Sequence, residues 1–186
     1  IQYTGDVRDI PVPVHDIDPE IHFEGYNIQE AQMRLIITGT PGTGKSSVAK
    51  ELARQLDLDY HNLTELIREN SLHEEEDPEL VVDEDKLKRF LDEKFSGEED
   101  FILDGFLSHL LSPKQVDRCI VLETDLGLLK DRLESRGYTE DKVKDNLESE
   151  SFEHPLLEAQ EAGHKIIKVD SNSKVRDTTQ KIIDEL

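Results

Sequence analysis

From residue 33 onward the chain alternates between two kinds of hydrophobic pattern. Short apolar runs, Leu35-Ile36-Ile37, Phe101-Ile102-Leu103, Cys119-Ile120-Val121-Leu122 and Lys165-Ile166-Ile167-Lys168-Val169, read as strands buried on both faces. Leu58-Asp59-Tyr60-His61 predicts a further short strand. Between these runs the apolar positions recur at helical spacing. One helix is expected through Ser47 to Ala53, and a second through Leu63 to Arg68 with Asn62 as its cap. A third is expected from about Asp83 to Phe95, with Leu87, Phe90 and Leu91 inward and Ser96-Gly97 as its end. Thr124-Asp125 opens a helix carrying Leu128, Leu129, Arg132 and Leu133. Thr139 to Ala162 is polar and helical in pattern, with Gly163 as its stop, and a closing helix runs from about Lys174 to Leu186. Strands alternating with helices predict an α/β domain: a parallel sheet with helices on both faces. No internal repeat is visible.

Residues 1–32 differ, with Ile10-Pro11-Val12-Pro13-Val14 and Asp18-Pro19-Glu20 but no sustained periodicity. They read as an N-terminal extension, the domain beginning at Met33 and running to residue 186. The acidic stretch Glu74-Glu75-Glu76-Asp77-Pro78 is expected to break the second helix from the third.

The candidate chemistry starts at Gly39-Thr40-Pro41-Gly42-Thr43-Gly44-Lys45-Ser46, between the first strand and the first helix. A glycine-rich turn opening into a helix lets backbone N–H groups converge on phosphate oxygens, so this P-loop predicts a bound nucleoside triphosphate. Gly42 and Gly44 are assigned to close backbone approach, with Thr43 and Ser47 in the same cradle. Lys45 is assigned to the β- and γ-phosphates and the Ser46 hydroxyl to Mg2+. Asp104, ending an apolar strand, is placed either to meet the magnesium shell or to cap a turn. Arg132 and Arg136 share one helix face, which suits guanidinium groups closing onto phosphates and equally suits a surface pair at a helix C-terminus. Arg68 is a candidate for the phosphate of a second substrate. His109 is a candidate because it follows soon after Asp104.

Composition narrows the class. The 186 residues are enough for one such domain, and 43 acidic against 22 basic residues give a formal charge of −21. Direct nucleic-acid binding is not expected of such a surface; a basic protein partner or a saline cytoplasm suits it, as does a merely soluble acidic surface. The single cysteine, Cys119, lies in an apolar run and excludes a disulfide framework. No apolar run approaches membrane-spanning length and no basic-then-apolar leader opens the chain, so a cytoplasmic protein is expected.

On these motifs the chain resembles the adenylate kinase isoenzyme 6 (CINAP) family, small adenylate kinase-like ATPases of eukaryotes and archaea. The resemblance covers Met33 to Leu186. It rests on Ile37 to Ser47, Val82-Asp83-Glu84-Asp85, Leu103-Asp104-Gly105 with Leu107-Ser108-His109, Arg132-Leu133-Glu134-Ser135-Arg136-Gly137-Tyr138, and Lys144-Asp145-Asn146-Leu147-Glu148. It implies a P-loop NTPase fold of the nucleoside monophosphate kinase type, with ATP at the P-loop. A monophosphate segment at about 62–90 would surround Arg68, and a short lid would span about 136–146. It further implies phosphoryl transfer from ATP to AMP or a related monophosphate, some ATP hydrolysis, and late maturation of the small ribosomal subunit through a basic platform protein. A nucleotide-switched assembly factor with incidental kinase turnover is the alternative. The family usually carries a histidine two residues after the carboxylate, where this chain has Phe106, so hydrolysis is expected to be weaker than transfer.

Overall fold

The computed structural model describes residues 33–73, 81–97 and 100–186. The extension expected at 1–32 and the acidic breaker at 74–78 lie outside the described residues. Five strands, β1 Arg34–Thr38, β2 Asp59–Asn62, β3 Phe101–Asp104, β4 Arg118–Glu123 and β5 Ile166–Asp170, form one parallel sheet in the order β2-β3-β1-β4-β5. The seven described helices are α1 Lys45–Leu56, α2 Leu63–Glu69, α3 Glu84–Lys94, α4 Leu126–Ser135, α5 Glu140–Ser151, α6 His154–Glu161 and α7 Val175–Glu185. This is the α/β arrangement the alternating pattern predicts.

Strand periodicity divides the sheet's side chains between two cores. Leu35, Ile37, Ile102, Ile120 and Val169 pack with Val48, Leu52 and Ile182 from α1 and α7. Ile36, Leu103, Cys119 and Val121 point the other way, onto Leu66, Leu87, Leu91 and Leu156 from α2, α3 and α6. A third, small cluster of Leu129, Leu133 and Val143, with Tyr138 and Leu147 against it, joins α4 to α5 apart from the sheet. Burial pushes the Cys119 thiol up to about 12, so it behaves as an inert core residue. Among the described residues no helix is long and apolar enough to cross a membrane.

Helix starts follow the cap chemistry of the sequence. Asn62, Asp83, Asp125 and Thr139 each accept a backbone N–H of the first turn through the side chain. The segment expected to be helical from Thr139 to Ala162 is two helices. Glu153 takes a left-handed φ of 52° and Pro155 occupies the first turn of α6, where its missing N–H has no partner to lose. The third helix keeps Leu87 and Leu91 inward, while Phe90 is only half-buried. Two short 3₁₀ turns, Ser108–Leu110 and Pro113–Gln115, lead from β3 to β4.

The strand order reverses at β1: the chain goes from β1 to β2 on one side, and from β3 to β4 across to the other. Loops diverging from the carboxyl ends of neighbouring strands open a crevice there. The P-loop leaves β1 at this crevice. Ile37 of β1 pairs with Asp104 of β3, so the loop and the carboxylate arrive side by side.

Candidate active site

Two of the P-loop glycines are required for different reasons. A Cβ on Gly42 would lie 2.8 Å from Leu129 Cδ1 and 3.0 Å from Leu133 Cδ2, so α4 packs onto the loop only because that side chain is absent. Gly44 has open space beyond it but a φ of 95° as the cap of α1, a conformation glycine adopts without strain. Both glycines, at φ of 99° and 95°, turn the chain, and Gly42 in addition lets α4 in.

Lys45 opens α1 and folds back, its Nζ donating to the Gly39 carbonyl at 2.7 Å and the Thr40 carbonyl at 3.0 Å. The residue as a whole is half-buried, but its ammonium sits beneath the loop. Burial lowers its pKa to about 8, opposed by the nearby carboxylates of Asp104 and Glu150 and reinforced by Arg136. It therefore carries its charge at neutral pH.

Asp104 is 2% exposed. Its Oδ2 accepts from Tyr60 Oη at 3.1 Å and Asn62 Nδ2 at 3.2 Å. Burial raises the Tyr60 pKa, and the nearby Ser46 hydroxyl opposes that rise. Ser46, Tyr60 and Asp104 thus form one polar surface. Strand β2 supplies it because Asn62 lies in register with Asp104, and Tyr60, two residues earlier, stands on the same face. One carboxylate and one hydroxyl beside a phosphate cradle fit a magnesium ion, which takes few protein ligands and fills its shell with substrate oxygens and water. Among the described residues no cluster of three or more histidine, cysteine or acidic side chains forms a metal cage.

Two adjoining cavities flank the P-loop. The first, of about 330 Å³, is lined by Gly42, Gly44, Lys45, Ser46 and Ser47 with Asn62, Thr64, Asp104, Phe106, Arg136 and Tyr138. The second, of about 320 Å³, lies between the loop, α4 and α7, with Thr43, Arg132, Arg136, Ser171, Val175 and Thr178 in its walls. Gly42, Gly44, Ser47 and Arg136 border both. Among the described lining residues of these two cavities Asp104 is the one acid, in a chain with 43.

The two arginines of α4 part company. Arg132 is half-buried and donates to the Ser171 carbonyl at 3.0 Å, with longer contacts of 3.4 Å to the carbonyls of Gly42 and Thr43 and to Thr124 Oγ1. Ser171 in turn donates through its hydroxyl toward the Thr43 carbonyl at 2.7 Å. Arg132 thereby ties α4 and the end of β5 to the P-loop. Arg136, in the cap of α4, is exposed and stands where the two cavities meet.

Two candidates are not in the cavity walls. His109 is 7% exposed and lines neither cavity: the 3₁₀ turn after β3 carries it inward. Its Nδ1 lies 3.3 Å from the Phe106 carbonyl and its Nε2 3.9 Å from Glu158. Its backbone carbonyl pairs with His164 Nε2 at 2.9 Å. The expectation that nearness in sequence to Asp104 brings His109 to the reacting groups is corrected. Arg68 is exposed in the last turn of α2, four residues beyond Thr64 and hence on the same face, one turn outside the wall that Thr64 forms.

Burial lowers the pKa of both His109 and His164. An unfolded imidazole binds a proton below pH 6.5, whereas these resist it, so the stability present above that value is lost as pH falls below it. Glu158, whose pKa burial raises, acts in the opposite direction. The melting temperature is expected to fall between pH 7.5 and 5.0, and His109→Asn to flatten that fall; equal slopes for both proteins would contradict this assignment.

Sequence reasoning missed Tyr60, Asn62 as an Asp104 partner, Thr64, and Glu150. Glu150, in the last turn of α5, accepts the Thr124 N–H at 2.6 Å, and is held above the usual carboxylate range by burial.

Comparison with known proteins agrees with this geometry. Residues 35–153 match the family model described as AAA domain. A protein of Methanococcus maripaludis named "Putative adenylate kinase" is 41% identical over 164 residues, covering 83% of this chain and 86% of its own. One of the same name from Pyrococcus furiosus is 37% identical over 154 residues, covering 83% and 82%. Among solved structures, shikimate kinase of Bacteroides thetaiotaomicron matches with a TM-score of 0.62 at 19% identity, covering 84% of this chain and all of that one. A gluconokinase from Sinorhizobium meliloti matches at 0.56 and 16%, covering 82% and 90%. These two likenesses are of fold, a P-loop kinase architecture. With a glycine loop, a neighbouring strand-end carboxylate and the two arginines of α4 and its cap all in place, the chain belongs to the family of these proteins named "Putative adenylate kinase".

Proposed function

We propose that the protein is an ATP-dependent nucleoside monophosphate kinase, catalysing ATP + AMP = 2 ADP or the same transfer to a related monophosphate. The observation that carries this reading is the pair of cavities sharing the Gly42–Gly44 turn and Arg136, one holding Lys45 and Asp104, the other free of acids among the described lining residues. In this reading the donor lies across the turn, its base in the second cavity and its triphosphate over Lys45. The acceptor enters the first cavity over Asn62 and Thr64, with Arg68 extending to its phosphate from one turn further along α2.

Phosphoryl transfer asks for positioning and for cations where charge develops, which Lys45 and Arg136 supply. Ser46 and Asp104 would hold magnesium, which neutralises charge on the transferring phosphate oxygens. Tyr60 and Asn62 hold the Asp104 carboxylate in one orientation. A monophosphate acceptor is largely dianionic at neutral pH, its second pKa being about 6, so a general base is dispensable. His109, directed into the core, is not needed for this chemistry.

Hydrolysis is a different demand because water must be oriented. Phe106 is 37% exposed in the wall of the first cavity and offers no group to do so. We propose accompanying ATPase activity that is slower than transfer. Phe106→His is expected to raise ATP hydrolysis about 10²-fold, the low end of what a positioned acid–base group contributes, and unchanged hydrolysis would count against the proposal.

The resemblance extends the proposal to the cytoplasm and to late maturation of the small ribosomal subunit, through a basic platform protein. The charge of −21 supports a basic partner on electrostatic grounds. A coupled assay with ATP and magnesium, comparing AMP, CMP, UMP and no acceptor, tests the enzymatic reading. Acceptor-dependent ADP formation is expected; equal turnover with and without acceptor would leave an ATPase.

A further inference from the structure

Helices α4 and α5 pack along each other through Leu129, Leu133, Val143 and Leu147, and the turn from Arg136 to Thr139 joins them at one end. Arg136 stands at that turn. At the other end Glu150, in the last turn of α5, accepts the backbone N–H of Thr124 at 2.6 Å, a short bond made by a charged acceptor. Thr124 lies between the end of β4 and Asp125, the cap of α4. A neutral amide could accept the same N–H. The carboxylate is half-buried, and burial raises its pKa against the pull of the Thr40 hydroxyl, the Thr124 N–H and the Lys45 ammonium.

Thr124 is also wired to the phosphate loop. Ser171 donates to the Thr43 carbonyl at 2.7 Å, which leaves the Thr124 hydroxyl to donate to Ser171, also at 2.7 Å. The Glu150 bond therefore closes the base of the α4–α5 pair at a point tied to the P-loop. The ten residues of α4 set Arg136 about 15 Å from that base, at about 1.5 Å per residue. A tilt of about 10° at the base would move the tip by roughly 2.6 Å, and a misplacement of about 1 Å is enough to cost rate.

We propose that Glu150 is a positioning residue for the transfer, its bond to the Thr124 N–H holding the α4–α5 pair so that Arg136 reaches the phosphoryl group. This rests on the transfer reaction and the part given to Arg136 above.

The test is steady-state kinetics of ATP-dependent AMP phosphorylation by the full chain, with Glu150→Gln, Glu150→Asp and Glu150→Ala each made in the parent and in Arg136→Ala. Glu150→Gln keeps the reach and an acceptor oxygen but loses the charge; Glu150→Asp keeps the charge but is one methylene short. In the parent, Glu150→Gln should retain kcat, whereas Glu150→Asp and Glu150→Ala should each lower it about tenfold with KM for ATP little changed, within the range of coupling in one network. In Arg136→Ala the same substitutions should lower kcat no further. Melting curves accompany each variant, and Glu150→Asp carries the test should Glu150→Ala fail to fold. Equal factors in the two backgrounds would reveal a merely structural effect and overturn the proposal. So would parental kcat in Glu150→Asp with a loss in Glu150→Gln, which would assign the effect to charge beside Lys45. If the parent forms no ADP from AMP, or Arg136→Ala transfers at the parental rate, the reading of the site fails and this role with it. If Arg136→Ala slows transfer but the Glu150 variants act equally in both backgrounds, only the role of Glu150 fails.

Discussion

Replacing Lys45 by methionine is expected to lower kcat/KM for ATP-dependent transfer by about 10³-fold, the scale of removing one preorganised charge from a developing anion. Methionine keeps much of the side chain's length and apolar stem, so the loss reports the charge. The ammonium rests on the carbonyls of Gly39 and Thr40, 2.7 and 3.0 Å away. A phosphate in the cradle offers it charged oxygens in place of those neutral ones, at little cost in reorganisation because the loop already holds it in place. Its lowered pKa of about 8 adds a signature: kcat/KM for ATP should decline above that pH as the free enzyme loses the proton. Steady-state kinetics of parent and variant from pH 6.5 to 9.5 check both points.

Arg136→Ala is expected to lower kcat by about 10²- to 10³-fold while leaving the fold intact. Arg136 is exposed at the cap of α4 and borders both cavities, so it can reach a phosphoryl group in passage between donor and acceptor. Arg132→Ala provides the contrast. Arg132 bonds the Ser171 carbonyl and approaches those of Gly42 and Thr43, so its removal should lower the melting temperature as well as activity. The pair separates on one plot: activity lost at constant stability for Arg136, both lost for Arg132. If the two variants behaved alike, the division of labour between them would be wrong.

Much of this was legible in the chain because it is local. Leu35-Ile36-Ile37 followed by the glycine loop and the spacing of Val48, Ala49 and Leu52 dictates strand, turn and helix within about twenty residues. The caps at Asn62, Asp83, Asp125 and Thr139 were equally local. What was missed depends on partners distant in sequence. Tyr60 and Asn62 meet Asp104 only because β2 pairs with β3 at the Asn62–Asp104 register, across more than forty residues of chain. His109 looked close to the chemistry because it is five residues from Asp104, but a 3₁₀ turn rotates it into the core toward Glu158 and His164. The break between α5 and α6 had a signal in Pro155, which was outweighed by the helical pattern on either side.

The central claim is that the bound triphosphate gives its terminal phosphoryl group to a second nucleotide. The most direct measurement follows ATP labelled in the γ-phosphoryl group, incubated with magnesium, unlabelled AMP and the full chain. The account predicts that the label appears in the β-position of ADP formed from AMP, with only a minor share released as inorganic phosphate. Label found in inorganic phosphate alone, at a rate indifferent to AMP, would contradict it.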